Sequence, residues 1–297
     1  MACRRLYVKH RRYITMDYRS IIISHFPEWA DARFKVLMHS WDSVAIDVDD
    51  EFIFKFPVEA EAGEALRMEA RLLTYIRPRV SLPVPNMTLH EGPPLFSRHQ
   101  KLKGEHLVDF DRLSDAAKDR LARTLGQFYA DLHALDRTVM ADLGAEPLPV
   151  WGDADDILRV CRMRLPDVLH EYAEQTCRAW ADLPPDPHGM TYGFFDGHGW
   201  NMAFDYETET LNGIYDFADS GIAPLHQDFI YASLTSHDLA ERIVDAYEGM
   251  TGRHLERARI GILTGMHRLW ELWKTKDGSD DIAEKVRQVE ACVKYAG

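Results

Sequence analysis

The sequence predicts an α+β protein of two lobes: an N-terminal antiparallel sheet with one helix, then a larger, mainly helical C-terminal lobe. Three observations predict it. Period-2 apolar alternation is confined to the first hundred residues, apolar steps of three and four residues dominate after Gly104, and a cluster of prolines and a glycine punctuates the passage between them. The expected division is an extension over 1–16 that stays disordered, a first lobe over 17–100 and a second over 101–297.

Each element has its own signal. Val44, Ile46 and Val48 alternate with Ala45, Asp47 and Asp49, the pattern of a half-buried strand. Asp49-Asp50 then turns the chain into the apolar run 52–56, which makes a hairpin, and 34–38 reads as a further strand. Ala65, Met68, Leu72 and Leu73 share one side of a helix over 61–76. Pro78, Pro83 and Pro85 exclude further helix, and 95–102 reads as a strand ending near Gly104. Ser114 is placed to cap a long helix whose stripe is Leu121, Leu125, Phe128, Leu132 and Leu135. Short strands are expected at 202–204 and 211–215, and helix nearly throughout after Asp228.

Composition narrows the function. With 297 residues and 46 % apolar content the chain buries a substantial core. Its 35 basic and 48 acidic residues give a net charge of −13, the wrong sign for a nucleic-acid backbone binder. An acidic surface suits a cationic ligand, although solubility alone accounts for it equally well. Cys3, Cys161, Cys177 and Cys292 form no Cys-x-x-Cys and read as free thiols of a reducing cytoplasm. No apolar run reaches membrane-spanning length, so neither a membrane nor a nucleic acid is an expected partner.

Chemistry concentrates in Phe194-Phe195-Asp196-Gly197-His198-Gly199-Trp200-Asn201 and in Ile214-Tyr215-Asp216-Phe217-Ala218-Asp219. Phosphoryl transfer asks little covalent chemistry of a protein. It needs a carboxylate beside the acceptor hydroxyl and hard oxygen ligands for Mg²⁺. Asp196 and Asn201, five positions apart, supply a base and an amide ligand from one loop, and a hairpin over 202–215 returns Asp216 beside Asn201.

The pattern Asp-x-His-x-x-Asn, a short hairpin, then Ile-x-Asp-Phe-x-Asp resembles the aminoglycoside phosphotransferase family and its choline- and homoserine-kinase relatives. The resemblance covers about residues 34 to 235, and it implies a protein-kinase-like fold using ATP or GTP with Mg²⁺. It implies Asp196 as catalytic base, Asn201 and Asp216 as metal ligands, and Lys55 in Phe52-Ile53-Phe54-Lys55-Phe56 as the phosphate-binding lysine, oriented by Glu69. Ser40, within 39–43, falls in the turn over the phosphates, which here lacks glycine. The family's His-Gly before the base is Phe194-Phe195 in this chain. The implied acceptor is a hydroxyl of a small cationic molecule, an aminoglycoside or, equally for the fold, choline, a homoserine-like amino alcohol, a sugar or another antibiotic.

Taken singly, these residues have plainer readings. Lys55 alone is a solvated strand lysine, Glu69 alone a surface helix residue, and Asp-x-His-x-x-Asn alone a polar loop; their order and spacing carry the argument. His198 between two glycines reads as structural, His188, His226 and His237 show no zinc spacing, and Asp228 reads as structural. Asp153, Asp155 and Asp156 suit a solvated helix start, and Trp270 and Trp273 suit helix packing. Two other classes stay open: a catalytically silent nucleotide-binding protein of the same fold, and a metal-dependent phosphohydrolase, which releases phosphate from a monoester without ATP.

Overall fold

The structure, a computed structural model, describes residues 16–37 and 43–293. Its first part is a five-stranded antiparallel sheet in the order β1-β2-β3-β5-β4. The strands are β1 (Phe34–Val36), β2 (Ser43–Val48), β3 (Phe52–Pro57), β4 (Thr88–His90) and β5 (Phe96–Gln100). The β2–β3 hairpin pairs Val48 with Phe52 and Ser43 with Pro57. Asp49 and Asp50, the central residues of the turn closed by the Glu51 N–H on the Val48 carbonyl, both take positive φ, 55° and 60°, as a primed turn demands, and Glu51 completes a three-residue loop.

One sheet face carries Val44, Ile46, Phe54, Phe56 and Phe96. It is covered by α1 (Tyr18–His25), whose Ile22 is fully buried there. The sequence predicts one helix in this lobe, and α1 is a second. Its eight residues are too few for a clear amphipathic stripe, and its start is capped by Asp17, which accepts from the Ser20 N–H. The other face carries Ile53, Lys55, Ser97 and His99, since Lys55 pairs with Ser97 and Ile53 with His99 and paired residues share a face. α2 (Ala60–Ile76) follows and buries Leu66, Glu69, Leu72 and Leu73.

The second part is mainly helical. α3 (Asp115–His133) is capped by Ser114, whose hydroxyl accepts from the Ala117 N–H. Its stripe of Leu121, Leu125, Phe128 and Leu132 shares a core with Leu239, Ile243, Val244 and Tyr247 of α7 (His237–Thr251). The short α4 (Arg137–Asp142) leads to a second core, made by α5 (Ala154–Arg164), α6 (His170–Ala181), α8 (Arg257–Lys274) and α9 (Asp281–Val293). Cys161 and Cys177 lie in that core, and with Cys292 they are free thiols. Asp153 caps α5 by accepting from the Asp155 and Asp156 N–H groups, and Trp270 packs on Trp151 with ring centroids 6.4 Å apart and planes inclined by 29°.

Two small strand pairs sit between the helices: β6 (Met190–Gly193) with β9 (Gly221–Pro224), and the hairpin β7 (Met202–Asp205) with β8 (Thr210–Ile214). The second pair lies where the sequence placed it. The first carries too few residues for a periodic signal. No helix among the described residues is long and apolar enough to cross a membrane.

Candidate active site

The loop after β8 meets the sheet face that carries Lys55, its inner face, and the loop after β6 lies beside it. Lys55 Nζ stands 3.1 Å from Glu69 Oε2 of α2 and 3.3 Å from Asp216 Oδ1. Glu69 is 3 % exposed, and its other oxygen accepts the Phe217 N–H at 3.2 Å. Burial pushes the Glu69 carboxyl above its ordinary pKa, against the pull of Lys55. Residues 14, 161 and 148 positions apart are thereby locked into one cluster.

Asp196 is held by its own loop. Asn201 donates its side-chain N–H to Asp196 Oδ2 at 2.6 Å and to the Asp196 carbonyl at 3.0 Å. This assignment leaves Asn201 Oδ1 as an acceptor. The Tyr215 N–H donates to the Asn201 carbonyl at 3.0 Å, so the β7–β8 hairpin closes with Asp216 next to Asn201. His198 Nε2 lies 3.1 Å from Asp196 Oδ1. Burial works against a charge on His198, but the Asp196 carboxylate outweighs it and the pKa is raised.

Two backbone distortions sit at these aspartates. Phe195 takes φ 53° and Asp216 takes φ 67°, values that bulky side chains rarely adopt. The surroundings impose them. The buried carboxylate of Asp228 accepts the Phe194 N–H at 3.0 Å, the Phe195 N–H at 2.6 Å and His133 Nε2–H at 3.0 Å, and the Tyr247 hydroxyl stands 3.0 Å from His133 Nδ1. At the position of the departure from the motif, Phe194 is fully buried with its ring centroid 4.8 Å from Phe217 and 6.0 Å from Phe128. Aromatic packing and one carboxylate hold the loop there. Gly197 and Gly199 are required by close approach: a Cβ would fall 2.0 Å from the Tyr129 hydroxyl at Gly197 and 1.8 Å from the Leu107 carbonyl at Gly199.

Above Lys55 the inner sheet face has unused hydrogen-bonding groups. Ser97 Oγ and His99 Nδ1 are buried with no partner among the described residues. Burial, assisted by the Lys55 charge, lowers the His99 pKa to about 4, so the ring is neutral. Beside the loop that carries Asp196 lies a cleft of about 540 Å³ whose lining includes Asp109, Asp111, Thr235, Asp238, Glu241 and Arg268. It abuts the Asp196 loop, because Thr235 Oγ1 accepts the Gly199 N–H at 2.7 Å and the Leu107 N–H donates to the Gly199 carbonyl at 2.9 Å. Asp238 is paired with Arg242, while Asp109, Asp111 and Glu241 have no ion pair among the described residues.

Five of the six residues singled out from sequence thus come together: Lys55, Glu69 and Asp216 in one cluster, Asp196 and Asn201 in the adjoining loop. Ser40 lies outside the described residues. Sequence reasoning missed His133, Thr235 and the acids of the cleft. His133 is the last residue of α3, yet its partner Asp228 is 95 residues away, so no local spacing reports the contact.

The donor set suits Mg²⁺. No group of three or more His, Cys, Asp or Glu side chains among the described residues forms a protein-only cage. Mg²⁺ is usually held by one or two carboxylates together with substrate phosphates and water, and the Asp216 carboxylate and the Asn201 amide oxygen are donors of the kinds such a site uses.

The sequence matches the phosphotransferase enzyme family over residues 35–260. No curated protein matches. Among solved structures the fold is similar to the GDP complex of wild-type aminoglycoside 2'-phosphotransferase-IIIa, at 18 % identity and a TM-score of 0.78, covering 96 % of this chain and 100 % of that one. It is similar to the GDP and kanamycin complex of APH(2")-IIia, at 18 % identity and a TM-score of 0.77, covering 95 % and 100 %. It also resembles the macrolide 2'-phosphotransferase MphH from Brachybacterium faecium, at 19 % identity and a TM-score of 0.65, covering 92 % and 95 %.

Proposed function

Because the chain belongs to the phosphotransferase enzyme family, we propose that it transfers the terminal phosphoryl group of ATP or GTP, with Mg²⁺, to a hydroxyl of a small cationic molecule. The observation that carries the proposal is the joining of Lys55, Glu69 and Asp216 at the rim of the loop that holds Asp196 and Asn201. Asp196 orients the acceptor hydroxyl and takes its proton. Lys55 exchanges its contact with Asp216 for phosphate oxygens while Glu69 keeps it in place. Asn201 Oδ1 and Asp216 would hold Mg²⁺, which when bound neutralises charge on the phosphates. Ser97 and His99 are available to the nucleotide base, and we place the lobe boundary at 100/101, directly after β5.

The unpaired acids of the cleft support a cationic acceptor, such as an aminoglycoside, in keeping with the kanamycin bound by a protein of similar fold. The silent-binder reading is disfavoured by the way Asp228, Phe128 and Phe217 hold the Phe194-Phe195 segment. ADP release across an acceptor panel tests the proposal. No nucleotide-dependent turnover with any hydroxyl acceptor rejects it, and phosphate release from monoesters without ATP favours a hydrolase.

Two further results are expected. Mg-nucleotide at a hundredfold excess over Kd should stabilise the fold by about 2.7 kcal/mol, read as a rise in Tm. Asp216→Ala should abolish the Mg²⁺ dependence of that rise, and Asn201→Ala should weaken it less, since a neutral amide contributes less charge. An unchanged Mg²⁺ dependence in Asp216→Ala would remove this residue from the metal site. The acceptor KM should rise as salt is raised toward physiological strength, where charges are screened over about 8 Å. A flat KM with neutral acceptors preferred excludes an aminoglycoside-like acceptor and leaves phosphoryl transfer intact.

A further inference from the structure

The lining of the acidic cleft also includes Arg268 of α8, which is 3 % exposed. A guanidinium carries five N–H donors and is always charged, and buried arginines are ordinarily paired with a carboxylate. Arg268 has none within salt-bridge distance among the described residues. It donates to Ser233 Oγ at 2.8 Å and to His267 Nδ1 at 2.8 Å, both neutral partners. His267 stays uncharged because burial, with Arg268 beside it, drives its pKa well down. Glu271, one turn further along α8, is engaged by Lys274 and Lys285. Arg268 therefore has no carboxylate in direct contact among the described residues, Glu271 acting on its charge only from a distance, at a position where an ion without a contact partner is costly.

A second group points the same way. Gln288 of α9 lines the same cleft, and its Oε1 is buried with no partner among the described residues. The cleft is thus polarised. Among the described residues Asp109, Asp111 and Glu241 are acids without ion pairs, and Arg268, a cation without one, shares the lining with the unfilled Gln288 acceptor.

We infer that Arg268 recognises an anionic oxygen of the acceptor, so that the hydroxyl compound proposed above carries a carboxylate in addition to its cationic ammonium groups. The inference rests on the acceptor site proposed above. A guanidinium meets a carboxylate through two parallel N–H···O bonds, and the unspent donors of Arg268 allow that geometry. The ammonium then faces the unpaired acids, and the Gln288 oxygen accepts an N–H or O–H of the ligand.

The test is equilibrium binding of two chain-matched probes, 6-aminohexanoate and 6-aminohexanamide, to the full chain at fixed ionic strength. The wild type should prefer the carboxylate by about tenfold, the lower range for a charge-assisted pair. Arg268→Met should lose the preference while keeping its affinity for the amide. If Arg268→Met does not fold, Arg268→Lys decides, because a lysine retains charge but loses the fork, and the preference must fall. No preference in the wild type, or a full preference in either folded variant, overturns the inference. Mg-nucleotide binding on the same preparations reports on the proposed reaction separately: intact nucleotide binding without carboxylate preference rejects this inference alone.

Discussion

Asp196→Asn should leave Mg-nucleotide affinity near the wild-type value and lower kcat by a factor on the order of 10² to 10⁴, the usual range for losing a positioned acid or base. The change is nearly isosteric. The Asn oxygen still accepts the Asn201 N–H now directed at Asp196 Oδ2, and the Asn N–H₂ meets His198 Nε2, which accepts once its proton moves to Nδ1. What disappears is the negative charge and the proton acceptor. Lys55, Glu69 and Asp216 do not touch the mutated side chain, so the nucleotide side of the site is unaltered. In a largely dissociative transfer the base takes its proton late, which keeps the effect below the full barrier. Affinity and kcat are to be measured on one preparation. A kcat near the wild-type value assigns Asp196 to loop structure instead.

Asp228→Ala should cost about 3 to 5 kcal/mol of stability, the range for breaking a buried charged network from one side. Two main-chain N–H groups and His133 lose their acceptor at once, in surroundings that admit no water-exposed substitute. Phe195 loses the bond that keeps it at positive φ, so the residue beside Asp196 relaxes. Asp228→Asn retains one carbonyl oxygen and should lose about half as much. Urea unfolding reads both, with kcat as the companion measurement. A loss below about 1 kcal/mol in Asp228→Ala, ordinary for a surface change, contradicts the bracing role.

These two predictions differ in where their evidence lies. Asp196 is legible in the sequence, because Asn201 five positions later and Asp216 after a short hairpin are neighbours in the chain, and a hairpin brings them together without help from the rest of the fold. The Lys55 strand and the Glu69 helix are legible for a similar reason. Each has its own periodicity, and a helix that follows a hairpin directly has little choice but to pack on it. The stripe of α3 likewise announces a buried face.

The tertiary structure alone decided the rest. α1 covers the outer sheet face although its sequence carries little pattern, since a short helix gains its place from the apolar face that awaits it. β6 and β9 pair across 27 intervening residues with only four residues each, too few to show a period. The positive φ of Phe195 and of Asp216 follows from Asp228 and Glu69, which reach them from distant elements. The acidic cleft, with Arg268 buried in its lining, arises where loops and helices separated by more than a hundred residues converge. Local spacing and periodicity fix what each segment becomes. The fields, strains and unfilled hydrogen bonds that make a site depend on which distant side chains packing brings within a few ångströms.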